Sequence, residues 1–258
     1  MSNLTTARDT ALPTLTGVTD AGYPGDPLAT DIKEAYCEAN VHNYIKDLAK
    51  AVLPARTYHV RPTHGTDLGN PYFLSIALAH AQVKTDTSSS SNKALIEVGA
   101  KADSYSDALT LNDSGYIAIV GKNKHNCVIS GNIAVSAGTY IFANLTISGT
   151  VTVSGGKAIF INCTGSGATG QTGTSTLMIW NCENWGVITL SGNSNILWVE
   201  YVANIEKDGS SQSIILGAGM TSGQYVFRYS QLEGTLEEDT AATETIGITQ
   251  NATARPSY

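Results

Sequence analysis

In this 258-residue chain, two carboxylates have a type and a position that could support catalysis. Glu183 and Glu200 are the only acidic residues between positions 126 and 200, a stretch that contains no arginine. A glycosidase places two carboxyl groups about 5–10 Å apart, one as acid and one as base or nucleophile. Because no further carboxylates surround this pair, we expect a protein that is not an enzyme. The alternative is a glycan hydrolase or lyase that uses these two glutamates.

The cysteine and histidine residues do not follow a metal-binding pattern. No C-x-x-C pair is present, and no histidine stands at ligand spacing from a cysteine. The Gly-rich piece 165–173 lacks the lysine and the following helix of a phosphate-binding loop. We therefore expect no metal and no cofactor. We also expect free thiols at all four cysteines, which are Cys37, Cys127, Cys163 and Cys182.

The charge balance bears on the partners of the chain. Its net charge is -7 and its pI is about 5.1, so no basic field attracts nucleic acid or an anionic membrane. No apolar run approaches the roughly 20 residues that cross a bilayer. The first residues lack the basic and apolar regions of a secretory signal. We expect a protein made in the cytoplasm, with no nucleic-acid or membrane partner.

A repeat organises the second half of the chain. Four asparagines, each followed by cysteine or leucine, recur at spacings of 18, 18 and 19; they are Asn126, Asn144, Asn162 and Asn181. Two short strand-like runs and Gly-Ser pairs recur between them. Such a period is too short for a strand-helix-strand unit and is typical of a solenoid. The sequence therefore predicts an all-β fold, a right-handed parallel β-helix with 18-residue coils, preceded by an arm and a short α-helix.

The recurring asparagine is predicted to mark a corner of each coil. Asparagine tolerates left-handed backbone, and its amide can bond the matching amide of the next coil to form a ladder. The alternative is a row of polar ligand-binding groups. The next position is predicted to be an apolar stack in which cysteine acts as a small hydrophobe; it comprises Cys127, Leu145, Cys163, Cys182 and Tyr201.

The strand that precedes each corner is apolar at every position, as in 158–161 and 177–180. Such a strand fills the solenoid with one face and presents an apolar surface with the other, which usually meets a partner. Trp198 is predicted to follow Phe142, Phe160 and Ile179 in the core. The predicted interface with a second copy comprises Ile141, Ile159, Met178, Trp180, Leu197 and, in the N-terminal helix, Ile32, Ile45 and Leu48. The alternative is that the N-terminal helix or the C-terminal tail covers this face.

Five segments are expected along the chain. They are an extended arm (1–28), an α-helix (29–54), an entry segment with a short capping helix and a flexible loop (55–93), the β-helix (94–231) and a tail (232–258). For the tail three outcomes remain open: disorder, a cap on the last coil, or interlocking around a trimer axis.

The entry region resembles a known family. The runs GTDLGNPYFLSIALAHA (65–81) and ALIEVGAKADSYSDALTLNDSGYIAIVG (94–121) are similar to the opening of pectin-lyase-like β-helix proteins. Residues 197–201 also resemble the Trp-Ile-Asp-His run of pectate lyases, with Glu200 for aspartate and Tyr201 for histidine. Within that superfamily, the polar arm, the missing signal and the expected trimer are most similar to bacteriophage tailspikes, tail fibres and capsid spikes.

This resemblance implies a homotrimeric structural protein of a virion, assembled in the host cytoplasm. It further implies attachment to other virion proteins through the N-terminal arm and helix. The alternative that it implies is a carbohydrate-binding or polysaccharide-degrading β-helix protein that acts on host surface glycan.

Overall fold

The computed structural model describes residues 56–62, 71–86, 93–165, 167–192, 195–217 and 223–238. The predicted arm and N-terminal helix, with Ile32, Cys37, Ile45 and Leu48, lie outside the described residues, as does most of the predicted tail. The statements below concern the described part of the chain.

The predicted fold is confirmed: the chain forms a right-handed parallel β-helix. Each strand pairs in parallel with its counterpart one coil away, in three sheets that run along the solenoid. A typical coil passes from sheet 1 through sheet 3 to sheet 2, as in β8, β9 and β10, before β11 returns to sheet 1. Parallel pairing at about 4.8 Å per coil provides hydrogen-bond partners for the backbone N–H and C=O groups of the strands along the whole stack.

Sheet 1 contains nine strands: β1 (Thr57–Val60), β2 (Tyr72–Phe73), β3 (Lys93–Val98), β5 (Tyr116–Gly121), β8 (Thr139–Ala143), β11 (Gly156–Ile161), β14 (Ser175–Trp180), β16 (Asn195–Glu200) and β18 (Gly223–Arg228). Sheet 2 contains seven: β4 (Leu109–Leu111), β7 (Ile133–Val135), β10 (Val151–Val153), β13 (Thr169–Gln171), β15 (Ile188–Leu190), β17 (Gln212–Leu216) and β19 (Thr235–Glu238). Sheet 3 contains β6 (Val128–Ile129), β9 (Thr146–Ile147) and β12 (Thr164–Gly165).

Side chains of sheet 2 alternate between core and solvent, as the sequence predicts. In β10, Val151 and Val153 are buried and Thr152 is exposed, and β7 and β15 repeat this pattern. The side-chain period of two in a strand explains the alternation. The inner rows of sheet 1 complete the core with aromatic rings, and Phe142 and Phe160 stack with their centroids 4.7 Å apart. One continuous apolar core therefore fills the solenoid.

The coils are not of constant length. Thr139 pairs with Lys157, Lys157 with Thr176, and Thr176 with Ile196, so the coil grows by one residue at each of the last two steps. The next coil, in which Ile196 pairs with Gln224, is longer still. The extra residues lie in the segments that connect one strand to the next along the chain, because the strands themselves remain paired in register.

A short helix, α1 (Ile76–Asp86), closes the N-terminal end of the core. Its buried side chains include Ile76, Ala79 and Val83, which belong to the same apolar cluster as the strands. Its His80 is also buried, and Nε2 lies 3.1 Å from the hydroxyl of Tyr140. With 11 residues it is too short to cross a bilayer, and no described helix meets that requirement.

The C-terminal boundary of the solenoid lies beyond the predicted one. Strand β19 pairs in parallel with β17 and continues sheet 2, although residues from 232 onwards were expected to form a tail. Leu232 also bridges to Ile205. The first residues of the expected tail therefore add a strand to the last coil, and the three outcomes left open for the tail concern residues outside the described part of the chain.

Candidate functional site

The outward face of sheet 1 carries an apolar surface over the C-terminal coils. The pairing registers place its side chains in rows that run along the solenoid, such as Ile141, Ile159, Met178 and Trp198. We call this surface the outer stripe; its members are Ile141, Ile159, Ile161, Met178, Trp180, Ile196 and Trp198. Trp180 and Ile196 are 45% and 39% exposed, and the others are half-buried.

The same outward rows are buried towards the N-terminal end. Leu95, Ala118, Val120 and Ala143 occupy outward positions of β3, β5 and β8, yet each is at most 2% exposed. In these two rows, the apolar surface that water reaches therefore begins at Ile141.

Four of the predicted interface residues lie on this surface, namely Ile141, Ile159, Met178 and Trp180. The prediction for Leu197 is wrong, because Leu197 pairs with Leu177 and is fully buried in the core. Trp198, which was expected in the core, instead pairs with Met178 and faces outward. The coil that joins β14 to β16 is one residue longer than expected, and such a slip moves a side chain to the opposite face of a strand.

The corner that follows sheet 1 is built from left-handed residues. Asn144, Asn162 and Asn181 have φ angles of 55°, 52° and 51°. The side-chain amide of Asn162 donates to Oδ1 of Asn144 at 2.7 Å. The backbone N–H of each asparagine donates to the residue that precedes the next corner, as Asn162 does to Trp180 at 3.1 Å. The predicted asparagine corner is thus present, and its ladder joins Asn144 to Asn162.

Asn126 does not belong to this corner row. Val120 pairs with Ala143, so the register places Gly121 beside Asn144. Residues 122–126 are an insertion, in which the N–H of Asn126 donates to the carbonyl of Asn123. A side chain at Gly121 would collide with the backbone oxygen of Asn144, since an added Cβ would lie 2.2 Å away. The spacing between Asn126 and Asn144 matches the register of β6 with β9 but not that of β5 with β8.

Two tyrosines take over the corner in the last coils. Tyr201 and Tyr229 have left-handed φ angles of 55° and 50°, and their rings stack at 4.9 Å with an interplanar angle of 9°. They are 50% and 57% exposed. Tyr201 was predicted to continue the apolar stack that contains Cys182; that position is held by Val202, which is buried. The longer coil between β14 and β16 is again the cause.

The tyrosines adjoin a polar and aromatic cluster. The indole N–H of Trp198 donates to Oε2 of Glu200 at 2.8 Å, and the guanidinium of Arg228 lies 5.5 Å from the Trp198 ring. We call Trp198, Tyr201, Arg228 and Tyr229 the aromatic corner. The outer stripe reaches it through Trp180, which pairs with Glu200 on the neighbouring strand.

The two candidate catalytic glutamates lie on different faces of the solenoid. Glu200 ends β16 in sheet 1, whereas Glu183 bridges to Thr164 beside sheet 3, beyond the corner at Asn181. Glu183 forms an ion pair with Lys124 at 2.5 Å. The hydrogen bond from Lys124 holds the pKa of Glu183 below its usual range. A carboxylate that remains ionised cannot act as a general acid near neutral pH.

The cysteines that the structure describes line the core. Cys127, Cys163 and Cys182 are buried and free, and the N–H of Cys163 donates to Sγ of Cys182 at 3.4 Å. Burial raises the pKa of Cys182 well above its usual value. These thiols pack as small apolar groups. Among the residues that the structure describes, no group of three or more His, Cys, Asp or Glu side chains could hold a metal ion.

No protein-family model, curated protein or solved structure matches the chain.

Proposed function

We propose that the chain is a structural protein of a bacteriophage virion, a spike, fibre or capsid decoration that assembles as a homotrimer. The outer stripe is the surface of self-association, and the N-terminal region attaches the trimer to other virion proteins. The single observation that carries the self-association is the outer stripe, an apolar surface on a regular sheet face. The virion role, the trimer and the attachment are supported by the resemblance of residues 65–81 and 94–121 to pectin-lyase-like β-helix proteins, together with the polar N-terminal arm.

The size of the outer stripe supports burial against a partner. It crosses the strands from β8 to β16, which at about 4.8 Å per coil span roughly 14 Å. An aromatic side chain offers 150–250 Å², so Trp180 alone leaves on the order of 100 Å² in water. Covering that area at about 25 cal/mol per Å² contributes roughly 2.5 kcal/mol before the cost of association.

A second copy of the chain is the partner that this surface fits best. The rows of the outer stripe repeat at every coil, so an identical face offers rows of the same spacing. Most soluble oligomers are closed and symmetric. Around the threefold axis of a trimer, the same face of every subunit points towards the axis, and its two sides contact the two neighbouring copies. Charged side chains on this part of sheet 1 stand at its margins, with Lys157 at one side and Glu200 and Arg228 at the C-terminal end.

Light scattering on the full chain tests this proposal. Met178→Lys places a charge in the outer stripe, and Thr152→Lys places the same charge on the exposed face of sheet 2 as a matched control. We expect a trimer for the unmodified chain and for Thr152→Lys, and a monomer for Met178→Lys. A monomeric unmodified chain at all concentrations would overturn self-association, and a trimeric Met178→Lys would overturn the role of the outer stripe.

The virion assignment has its own test. We expect mass spectrometry of purified phage particles from the source of this sequence to detect the chain at a fixed ratio to the major capsid protein. Its absence from such particles would refute a virion role. Binding or cleavage of host glycan remains a prediction from the resemblance, and assays of Glu183→Gln and Glu200→Gln on host polysaccharide test it.

A further inference from the structure

The aromatic corner is costly for an isolated chain to maintain. Bulky residues rarely adopt a left-handed backbone, yet Tyr201 and Tyr229 both do so. Asparagine serves the same corner at Asn144, Asn162 and Asn181 and suits that conformation better. More than half of the Tyr229 side chain also remains in water. Strained backbone is concentrated at functional sites, so the two tyrosines point to a function for this corner.

The geometry of the rings limits what a partner of this corner can be. Tyr201 and Tyr229 lie nearly parallel, so each covers one ring face of the other. One face of Trp198 lies against the guanidinium of Arg228. Each of these three rings therefore has one face occupied within the chain. What remains is a rigid, amphipathic surface of tyrosine, tryptophan and arginine, the residue types that dominate contacts between proteins.

Position and charge identify the partner as a second copy. The aromatic corner continues the outer stripe, because Trp180 pairs with Glu200 and Glu200 pairs with Arg228 on successive strands. Glu200 and Arg228 carry opposite charges at neighbouring positions, so the same surface on another copy supplies the complementary pair. The stacking of the tyrosines fixes their rings in advance, which lowers the entropy lost on contact.

We infer that the aromatic corner anchors the contact between copies, so that the last two coils determine assembly more than the aliphatic rows of the outer stripe do. This inference rests on the proposed self-association. The tyrosines then act as contact residues for the neighbouring copy rather than as a platform for glycan.

The double variant Tyr201→Asn, Tyr229→Asn tests the inference without disturbing the corner, since asparagine suits the left-handed backbone there. Sedimentation equilibrium of the full chain should show dissociation at a concentration at least tenfold higher than for the unmodified chain. Arg228→Gln, which removes the cation beside the Trp198 ring and leaves both tyrosines in place, should also weaken assembly. Tyr116→Thr is the matched control, because Tyr116 is 44% exposed in the same sheet but distant from the corner; it should assemble normally.

The outcomes separate this inference from the proposed function. If both the double variant and Arg228→Gln assemble normally while Met178→Lys is monomeric, the outer stripe mediates assembly and the inference is wrong. If the double variant assembles normally but loses binding to a host glycan, the corner is a glycan site and the inference is also wrong. If the unmodified chain never assembles, the proposed self-association itself fails.

Discussion

The side-chain amide of Asn162 donates a 2.7 Å hydrogen bond to Oδ1 of Asn144, and both residues have left-handed backbone. The coils are thus joined at their corner by side chains as well as by the strands. The backbone N–H of Asn162 bonds the next coil at Trp180, so one residue links three coils.

Substitutions at Asn162 should separate the contribution of its side-chain hydrogen bond from that of its left-handed backbone. Asn162→Ala loses the amide bond and leaves in left-handed backbone a residue that lacks the polar side chain which makes this conformation tolerable; we expect a loss of about 2–3 kcal/mol in the free energy of unfolding. Asn162→Gly keeps the backbone conformation and loses the amide bond, with an expected cost of about 1 kcal/mol. Urea denaturation measures both. Equal stability of the alanine and unmodified chains would contradict the role of the corner.

Acid should destabilise the fold through His80. Burial lowers the pKa of His80 to about 4, with a smaller contribution from Lys84, while Asp113 acts in the opposite direction. The unfolded chain binds this proton near pH 6.5, so the stability that neutral His80 provides is complete above pH 6.5 and is lost as the pH falls towards 4. The full shift corresponds to about 3 kcal/mol.

Urea unfolding at several pH values between 7 and 4 measures this effect. The variant His80→Gln cannot titrate and is the control, because it should show a flatter dependence on pH over the same range. Identical pH profiles for the two proteins would show that His80 does not couple protonation to folding.

The core thiols should be protected from reaction in the native protein. Cys127, Cys163 and Cys182 are buried, and a thiol reacts as the thiolate, which burial disfavours. In a Cys37→Ser variant, a thiol reagent should label none of the three within minutes at pH 8 and all three in denaturant. Rapid labelling without denaturant would show that the core opens at these corners.

The fold was predictable from the sequence because identical positions recur once per coil. Asn144, Asn162 and Asn181 mark the corner, and the alternation around Thr152 marks sheet 2. Whether a side chain faces the core or the solvent could be predicted only where the length of its coil was known. Asn126 was misplaced because an insertion follows β5, and Leu197 because its coil is one residue longer than expected.

The aromatic corner was missed for the same reason. Tyr201 and Tyr229 occupy the asparagine position, but a fixed spacing placed Tyr201 in the apolar stack behind it. A sequence signal does exist, since Val202 fits the small apolar position that Cys182 occupies one coil earlier. The left-handed φ angles of the two tyrosines, which no local preference of tyrosine predicts, became visible only in the structure.

Oxidative footprinting of the outer stripe tests most directly whether a second copy covers it. Met178 and Trp180 react readily with hydroxyl radicals when water reaches them, and Tyr116 provides an internal reference in the same sheet. Our account predicts that labelling of Met178 and Trp180 falls severalfold as the protein concentration rises, while labelling of Tyr116 stays constant. The account would be contradicted if the chain were monomeric at every concentration and the labelling of all three residues did not change with concentration.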